Sequence, residues 1–347
     1  MPKRNKVIMS VIPKSVKCKI VILNWNGRSH LETYLPSVVE ACPSWAGVVV
    51  ADNGSTDDSL SFVETQFPMV EIVRLPQNYG FAEGYNRALA QVADCEFVVL
   101  LNSDIETPKG WLEPLISCLE NNSNVGAVAP KLRSWCERDS FEYAGASGGF
   151  IDVLGYPFCR GRIMSTVEKD NGQYDDARNV FWASGAAFAC RLDVFRQMGG
   201  FDGDFFAHQE EIDLCWRMWK AGYEVRVEPQ SVVYHLGGGT LPNNSPRKIY
   251  LNHRNNLSML YKNLEPSKRW WVLPIRLLLD GASAFVYMCQ GNLPFVKAVW
   301  QAHRDFFARR KSLRTKRTVQ LASPQGIYRG SIVLRAMFGR KRFDKMV

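Results

Sequence analysis

The stretches VVVADNGS (residues 48–55), FVVLLNSD (97–104) and FFAHQEEIDLCWR (205–217) decide how this chain is read. In the first two, an unbroken aliphatic run stops at a polar cluster with a carboxylate. Such a run marks a strand buried on both faces of a parallel sheet, and open α/β sheets place their ligands beyond the carboxyl ends of their strands. The third stretch sets Glu210, Glu211 and Asp213 at the opening of a helical pattern. Three acidic ends of this kind point to one site for a charged ligand and a metal ion.

Working outward, residues 18–135 alternate strand and helix signals. CKIVILNW (18–25), VVVAD (48–52), VEIVRL (70–75) and FVVLLN (97–102) read as strands. Between them lie helices expected over about 29–42, 56–67 and 81–92, with a fourth to about Asn121 after Pro108. Strict alternation predicts a mainly parallel sheet with right-handed crossovers. Beyond Gly126 the pattern loosens: VGAVAPKL reads as a strand, and 135–179 as a long irregular section. VFWASGAAFACR (180–191) returns to strand character, Gln209 to Ala221 reads as a helix, and YEVRVEP (223–229) as a strand before SVVYHLGGGT (231–240).

The 347 residues are 46% hydrophobic and 22% charged, the balance of a soluble α/β core. Nine cysteines show no CxxC pairing or zinc spacing, and MPKRNKVIMSVIPKSVKCKI lacks a long apolar core and a small-residue cleavage site, which predicts a reduced, cytoplasmic protein. The net charge of +9 is uneven: from Gly291 onward there are 14 Lys and Arg against 2 Asp. A basic tail after the aromatic and apolar segment 270–307 fits an anionic membrane surface. The apolar run Trp270 to Cys289 contains Pro274, Arg276 and Asp280, so an in-plane amphipathic helix is expected rather than a membrane span. The alternative is a helix packed on the catalytic domain with a solvated basic face. No nucleic-acid-binding motif accompanies the charge.

On helical spacing Glu210, Asp213 and Arg217 share one face, while Ile212, Cys215, Trp216 and Trp219 form an apolar stripe. Asp213 and Arg217, four apart, are expected to pair. Glu211 then lies in the first turn, free to point into a cleft. Asp52, ionised and acceptor-only, suits the imide N–H of a uracil or thymine base, though Asn53-Gly54-Ser55-Thr56 is also an ordinary strand-to-helix turn.

The strings ILNWNG, ADNGSTDDS, NYGFAEGYNRA, LLNSD, WASGAAFACR, GGFDGDFFAHQEEIDLCWR and VVYHLGGGT occur in order between about residues 18 and 260. Together they resemble a family 2 glycosyltransferase of the GT-A fold, a Rossmann-like sheet flanked by helices, in the branch containing rhamnosyltransferases. The resemblance implies that Asn102-Ser103-Asp104 takes the place of the family's Asp-x-Asp, with asparagine replacing its first aspartate. Asp104 is then a ligand of Mn²⁺ or Mg²⁺, and Asn102 and Ser103 partners of the nucleotide. It implies the same metal role for His235, followed by the flexible Gly237-Gly238-Gly239-Thr240. Glu211 stands at the position of the general base of an inverting transfer, beside Glu210. Asn24, Asn26, Asp52, Asn53, Asn78, Gly80 and Arg87 fall on the nucleotide-sugar side. Trp182, Ser184 and Gly185 border the donor sugar or acceptor, and Arg254 with Asn255 closes over the phosphates.

The organisation expected is an N-terminal extension (1–17), a catalytic domain (18–260) divided into a nucleotide-binding half (18–135) and an acceptor half (136–260), and a helical basic region (261–347). The activity implied is single-sugar transfer from a nucleoside-diphosphate sugar, dTDP-rhamnose or a UDP-sugar, to a cell-surface polysaccharide or lipid-linked glycan. A processive synthase would carry QxxRW, and Pro266-Ser267-Lys268-Arg269-Trp270 lacks the glutamine. Two other classes remain open at this point. A sugar-1-phosphate nucleotidyltransferase needs a glycine-rich basic loop near the N-terminus, which ILNWNGRSHLE does not supply. A non-catalytic glycan-binding protein would have no need of Asp104, Glu211 and His235.

Overall fold

The computed structural model describes residues 16–237, 245–343 and 346. The expected flexible loop at Gly238, Gly239 and Thr240 therefore lies outside the described residues, as does nearly all of the N-terminal extension.

The first half alternates as its pattern requires: β1 (Cys18–Asn24), α1 (Arg28–Glu40), β2 (Ala46–Asp52), α2 (Ser59–Gln66), β3 (Glu71–Arg74), α3 (Gly80–Gln91), β4 (Phe97–Asn102), β5 (Ile105–Glu106), α4 (Leu112–Asn121) and β6 (Val125–Ser134). Helix α2 starts later than expected because the Asp57 carboxylate accepts from the Ser59 N–H at 3.2 Å, which holds 56–58 in a turn. Strands β1, β2, β3 and β4 pair in parallel, with Asn24 beside Asp52 and Leu23 beside Asn102. The polar ends of the apolar runs are thus brought to one edge.

Alternate strand residues feed two apolar layers. Val21, Val49, Val98 and Leu100 pack against α3 (Tyr85, Leu89), while Ile20, Ile22, Val50 and Leu101 pack against α1 and α4 (Leu31, Leu35, Leu115). Both faces of the sheet are covered, as an aliphatic parallel sheet demands.

The section 135–179 is not an irregular loop. It holds β7 (Gly149–Asp152), β8 (Pro157–Cys159), β9 (Arg162–Ile163) and β10 (Thr166–Val167), then β11 (Arg178–Asn179). Strands of two to four residues leave no readable periodicity, which is why the sequence hides them. Residues 180–191 form a strand only over β12 (Ala187–Arg191), because Ser184 makes a turn in which its Oγ accepts from the Ala186 N–H at 3.3 Å. Strand β12 inserts antiparallel between β4 and β6. Then follow α5 (Leu192–Gln197), a short 3₁₀ turn at Gly203–Phe205, α6 (Glu210–Lys220) and β13 (Glu224–His235). The two segments expected at 223–229 and 231–235 are one strand, paired with β6 through a register shift between Glu228 and Val232. Pro229, which has no N–H to give a ladder, sits in that shift. The central sheet runs β11-β13-β6-β12-β4-β1-β2-β3, with β5 also on β13.

The C-terminal third is helical but not separate. It contains α7 (Pro246–Asn263), α8 (Pro266–Cys289), α9 (Leu293–Thr315), β14 (Ile327–Tyr328) and α10 (Ile332–Met337). Strand β14 joins β7 in parallel, completing a second sheet β10-β9-β8-β7-β14. The Asp152 carboxylate accepts from the Ile332 N–H at 2.9 Å, and Phe343 packs on Phe150, Phe158 and Tyr174. Residues 327–343 thus pack against the second sheet and share its apolar cluster.

Candidate active site

Asp104 follows β4 and His235 ends β13, two strands that do not touch in the sheet. The short β5 bridges them by pairing Ile105 with His235. The result sets Asp104 Oδ1 3.1 Å from His235 Nε2, with both side chains buried. On the other side of the ring, Nδ1 lies 3.3 Å from Glu142 Oε1. Burial alone would depress the imidazole, but Glu142 and Asp104 outweigh it and hold its pKa up at about 10. Asp104 is likewise disfavoured as an anion by burial, yet its bond to His235 keeps it below the ordinary carboxylate range. Glu142 was missed in the sequence: it sits in the stretch that reads as irregular, and only the fold brings it to His235.

Among the described residues no cluster of three or more His, Cys, Asp or Glu side chains forms a metal cage. The Asp104–His235 pair nevertheless fits a divalent ion. Two neighbouring ligands of an octahedral site with bonds of about 2.1 Å stand roughly 3 Å apart, close to the separation observed. Hard divalent ions bound to diphosphates use few protein ligands and complete their shell with water and phosphate oxygens. Glu142 at the far nitrogen is placed where it would fix the ring's tautomer once an ion displaced the Nε2 proton.

The carboxylate pair Glu210–Glu211 opens α6 and approaches the turn at Gly185. A Cβ built on Gly185 would stand 3.6 Å from the Glu211 Cβ, and the next residue, Ala186, accepts from the Asn102 N–H at 2.9 Å. Glu211, Gly185 and the 102–104 turn therefore border one space. One carboxyl oxygen of each glutamate has no hydrogen-bond partner among the described residues. Burial pushes Glu211 up to about 7, and burial with the neighbouring Glu211 charge pushes Glu210 well above the carboxylate range. Glu210 is 4% exposed and Glu211 is less buried as a residue, and Glu211, held at about 7, is the member able to ionise near neutrality.

The loop before the pair is strained and held. Phe206, His208 and Gln209 have φ of 66°, 70° and 75°, a region that costs non-glycine residues about 1–3 kcal/mol each. Helix α7 holds them there: Asn255 Nδ2 donates to the carbonyls of Phe205, Ala207 and His208, and Arg254 Nη2 to those of Asp204 and Phe205. Arg254 also donates from Nε to Asn255 Oδ1 and from Nη1 to the Tyr250 hydroxyl, so these two residues brace the loop. Below it, Asp213 is fully buried between Arg217 at 2.9 Å and Lys262 at 3.0 Å, while Lys262 also reaches Asp202 at 2.6 Å. The expected Asp213–Arg217 pair is present, within a larger network.

The remaining expected contacts divide. Asp52, 3% exposed, accepts from Asn24 Nδ2 at 3.2 Å and from the Ser55 N–H at 3.0 Å, and its carboxylate retains acceptor capacity toward the cleft edge. Asn102 and Ser103 are partly exposed beside it. Other polar groups turn inward. Asn26 Oδ1 accepts from the Thr56 N–H, and Asn53 bonds the Tyr79 N–H, Asn78 and the Gly80 carbonyl. Asn78 Oδ1 accepts from the Gly80 N–H, while the Phe81 and Ala82 N–H groups donate to the Phe206 carbonyl. The start of α3 is thereby saturated and does not offer the open anion site expected of a helix N-terminus. Arg87 pairs with Glu83 at 2.8 Å and stacks on Tyr79. Trp182 is buried with its indole N–H on the Phe150 carbonyl, and Ser184 Oγ donates to the Ala144 carbonyl. Each of these side chains has a partner within the protein, Arg87 while remaining exposed.

The family model described as glycosyl transferase family 2 matches residues 19–199. The chain is 27% identical over 282 residues to an N-acetylglucosaminyl-diphospho-decaprenol L-rhamnosyltransferase of Mycobacterium tuberculosis, covering 76% of this chain and 90% of the relative. A pre-mycofactocin glycosyltransferase of the same organism is 31% identical over 54% of this chain, which spans 37% of that relative. Among solved structures, S. aureus TarS 1–349 with UDP-GlcNAc superposes with a TM-score of 0.56 at 16% identity, over 86% of this chain and 84% of that one. GalNAc-T7 with UDP, GalNAc and Mn²⁺ gives 0.55 at 16% identity, over 71% and 48%. Both likenesses carry the GT-A fold. The chain belongs to glycosyl transferase family 2 and is a nucleotide-sugar glycosyltransferase, similar to rhamnosyltransferases.

Proposed function

We propose that this enzyme transfers one sugar, with inversion, from a nucleoside-diphosphate sugar to a hydroxyl of a glycan acceptor carried on a lipid diphosphate. The acceptor class rests on the likeness to the rhamnosyltransferase that acts on a decaprenol diphosphate. The same likeness favours a rhamnosyl donor, with dTDP-rhamnose or a UDP-sugar as the candidates. The observation that supports the chemistry best is the meeting of Asp104 and His235 at 3.1 Å, with Glu211 against Gly185, one residue before the Ala186 carbonyl that accepts from the Asn102 N–H.

Asp104 and His235 would hold Mn²⁺ or Mg²⁺, which supplies a counter-charge for the departing diphosphate. Glu211 accepts the proton of the acceptor hydroxyl as its oxygen attacks the anomeric carbon on the face opposite the leaving group. Glu210, kept neutral by burial and by its neighbour, adds no second negative charge. Asp52 receives the imide N–H of the pyrimidine base. The anionic partner surface expected for the basic C-terminal region fits an acceptor presented at a membrane.

Release of nucleoside diphosphate from a panel of UDP-, dTDP- and GDP-sugars, with polyprenyl-diphosphate-linked acceptors and Mn²⁺ or Mg²⁺, tests the reading. Turnover with no sugar in the panel sinks it. Because the active form of Glu211 is the carboxylate, kcat/KM should fall about tenfold per pH unit below about 7 and level off above it. A profile flat down to pH 5 contradicts the base assignment.

Glu142 has a separate expected effect. Glu142→Gln leaves the His235 ring without its anionic partner, and loss of such a partner weakens metal affinity by roughly 10–100-fold. Titration of Mn²⁺ binding by electron paramagnetic resonance in the presence of nucleoside diphosphate reads this directly. Unchanged affinity removes Glu142 from the site.

A further inference from the structure

Helix α8 carries an apolar face that no described residue covers. Trp270, Leu278 and Phe285 are 74%, 74% and 61% exposed, and Ile275, Val286 and Met288 extend the same stripe. Only 17% of its most apolar 18-residue window is buried. The two charged residues between Trp270 and Cys289 lie on the opposite side. Arg276 and Asp280 are 3% and 1% exposed. Asp280 is held by His253 of α7 at 3.1 Å and His303 of α9 at 3.3 Å, and Arg276 lies over the Tyr156 ring. From Trp270 to Cys289 the outward face is therefore free of charge, over about 30 Å at 1.5 Å per residue.

Its border is basic. On α9, Trp300 and Phe307 are 62% and 48% exposed, and Lys297, Arg304, Arg310, Lys311 and Arg314 are exposed among them. Soluble monomers rarely leave a large continuous apolar patch open, and one rimmed by a single sign of charge selects its occupant. A second copy packed here would bring like charges together. An anionic headgroup layer neutralises them while taking up the apolar stripe.

We propose that α8 is an in-plane docking helix for an anionic phospholipid surface, with Leu278 and Phe285 sunk below the headgroups and the α9 lysines and arginines among them. A transmembrane path is unavailable to it, because Arg276 and Asp280 would have to leave Tyr156, His253 and His303 for hydrocarbon. The site deepens the acceptor reading given above and rests on it for its purpose. Helix α7, bound to Asp280 through His253, also carries Arg254 and Asn255, which clamp the loop leading into Glu210 and Glu211. Docking of α8 therefore sets the catalytic cleft at the surface where a lipid-linked acceptor resides.

The test is co-sedimentation of the full chain with vesicles of phosphatidylcholine alone and of phosphatidylcholine mixed with phosphatidylglycerol. Binding is expected only to the anionic vesicles, weakening as salt rises. The double variant Leu278→Glu/Phe285→Glu should lose roughly tenfold or more of that binding, with an unchanged melting temperature and unchanged transfer to a water-soluble acceptor. If that variant does not fold, Lys297→Gln/Lys311→Gln, outside the apolar stripe, should weaken the anionic binding instead. Equal binding of wild type to both vesicles, binding to neither, or full binding by the folded variants overturns the proposal. So does a lipid-free dimer that the double variant dissociates. If wild type binds anionic vesicles but turns over no nucleotide sugar, the transferase reading fails while the docking surface stands.

Discussion

Glu211→Gln is expected to lower kcat by about 10²–10⁴-fold, the range over which a positioned base acts, with nucleotide-sugar affinity nearly unchanged. The substitution keeps shape and volume. One Glu211 oxygen has no hydrogen-bond partner among the described residues, so little structure is lost with the charge. Steady-state kinetics beside calorimetric titration of the nucleotide separates the two effects. A variant that retains full turnover would transfer the base role elsewhere. Glu210→Gln makes a useful control, because Glu210 is already held neutral by burial and its neighbour.

The largest expected effect on stability is at Asp213. Burial works against its charge, but Lys262 and Arg217 outweigh it and hold the carboxylate below its ordinary range. Asn263 Nδ2 donates to the same group at 2.8 Å. Asp213→Ala leaves buried Arg217 without a carboxylate and Lys262 with Asp202 alone, a change that costs about 3–5 kcal/mol because a desolvated charge loses its partner. For a chain this long that corresponds to a melting temperature lower by roughly 5–10 °C. Differential scanning calorimetry measures it. A shift below about 1 °C would show that Asp202 alone satisfies Lys262.

These two residues also show what the sequence made legible. Asp213 and Arg217 were readable as partners because helical geometry fixes what lies four residues on. Asp52 and the 102–104 turn were readable because a strand buried on both faces must be apolar until it ends, and those ends line one edge of the sheet. Glu142, Lys262 and Asn255 were not readable as site supports. Their roles depend on chain segments brought together only in three dimensions, and one of them lies among strands too short to have a period. The contacts of Arg254 with the Asp204 and Phe205 carbonyls were hidden for a related reason, since some fifty residues separate them in the chain. In helix α8, Arg276 and Asp280 argue against a membrane span when counted along the sequence, and only the packing shows that both face inward.

The account depends on Asp104 and His235 sharing one divalent ion next to the diphosphate and facing Glu211. Anomalous diffraction from crystals grown with Mn²⁺ and nucleoside diphosphate measures this directly. The account predicts a single strong peak within bonding distance of Asp104 Oδ1, His235 Nε2 and a diphosphate oxygen. A bound diphosphate with its Mn²⁺ on other residues, or with Asp104 and His235 still bonded only to each other, would contradict it.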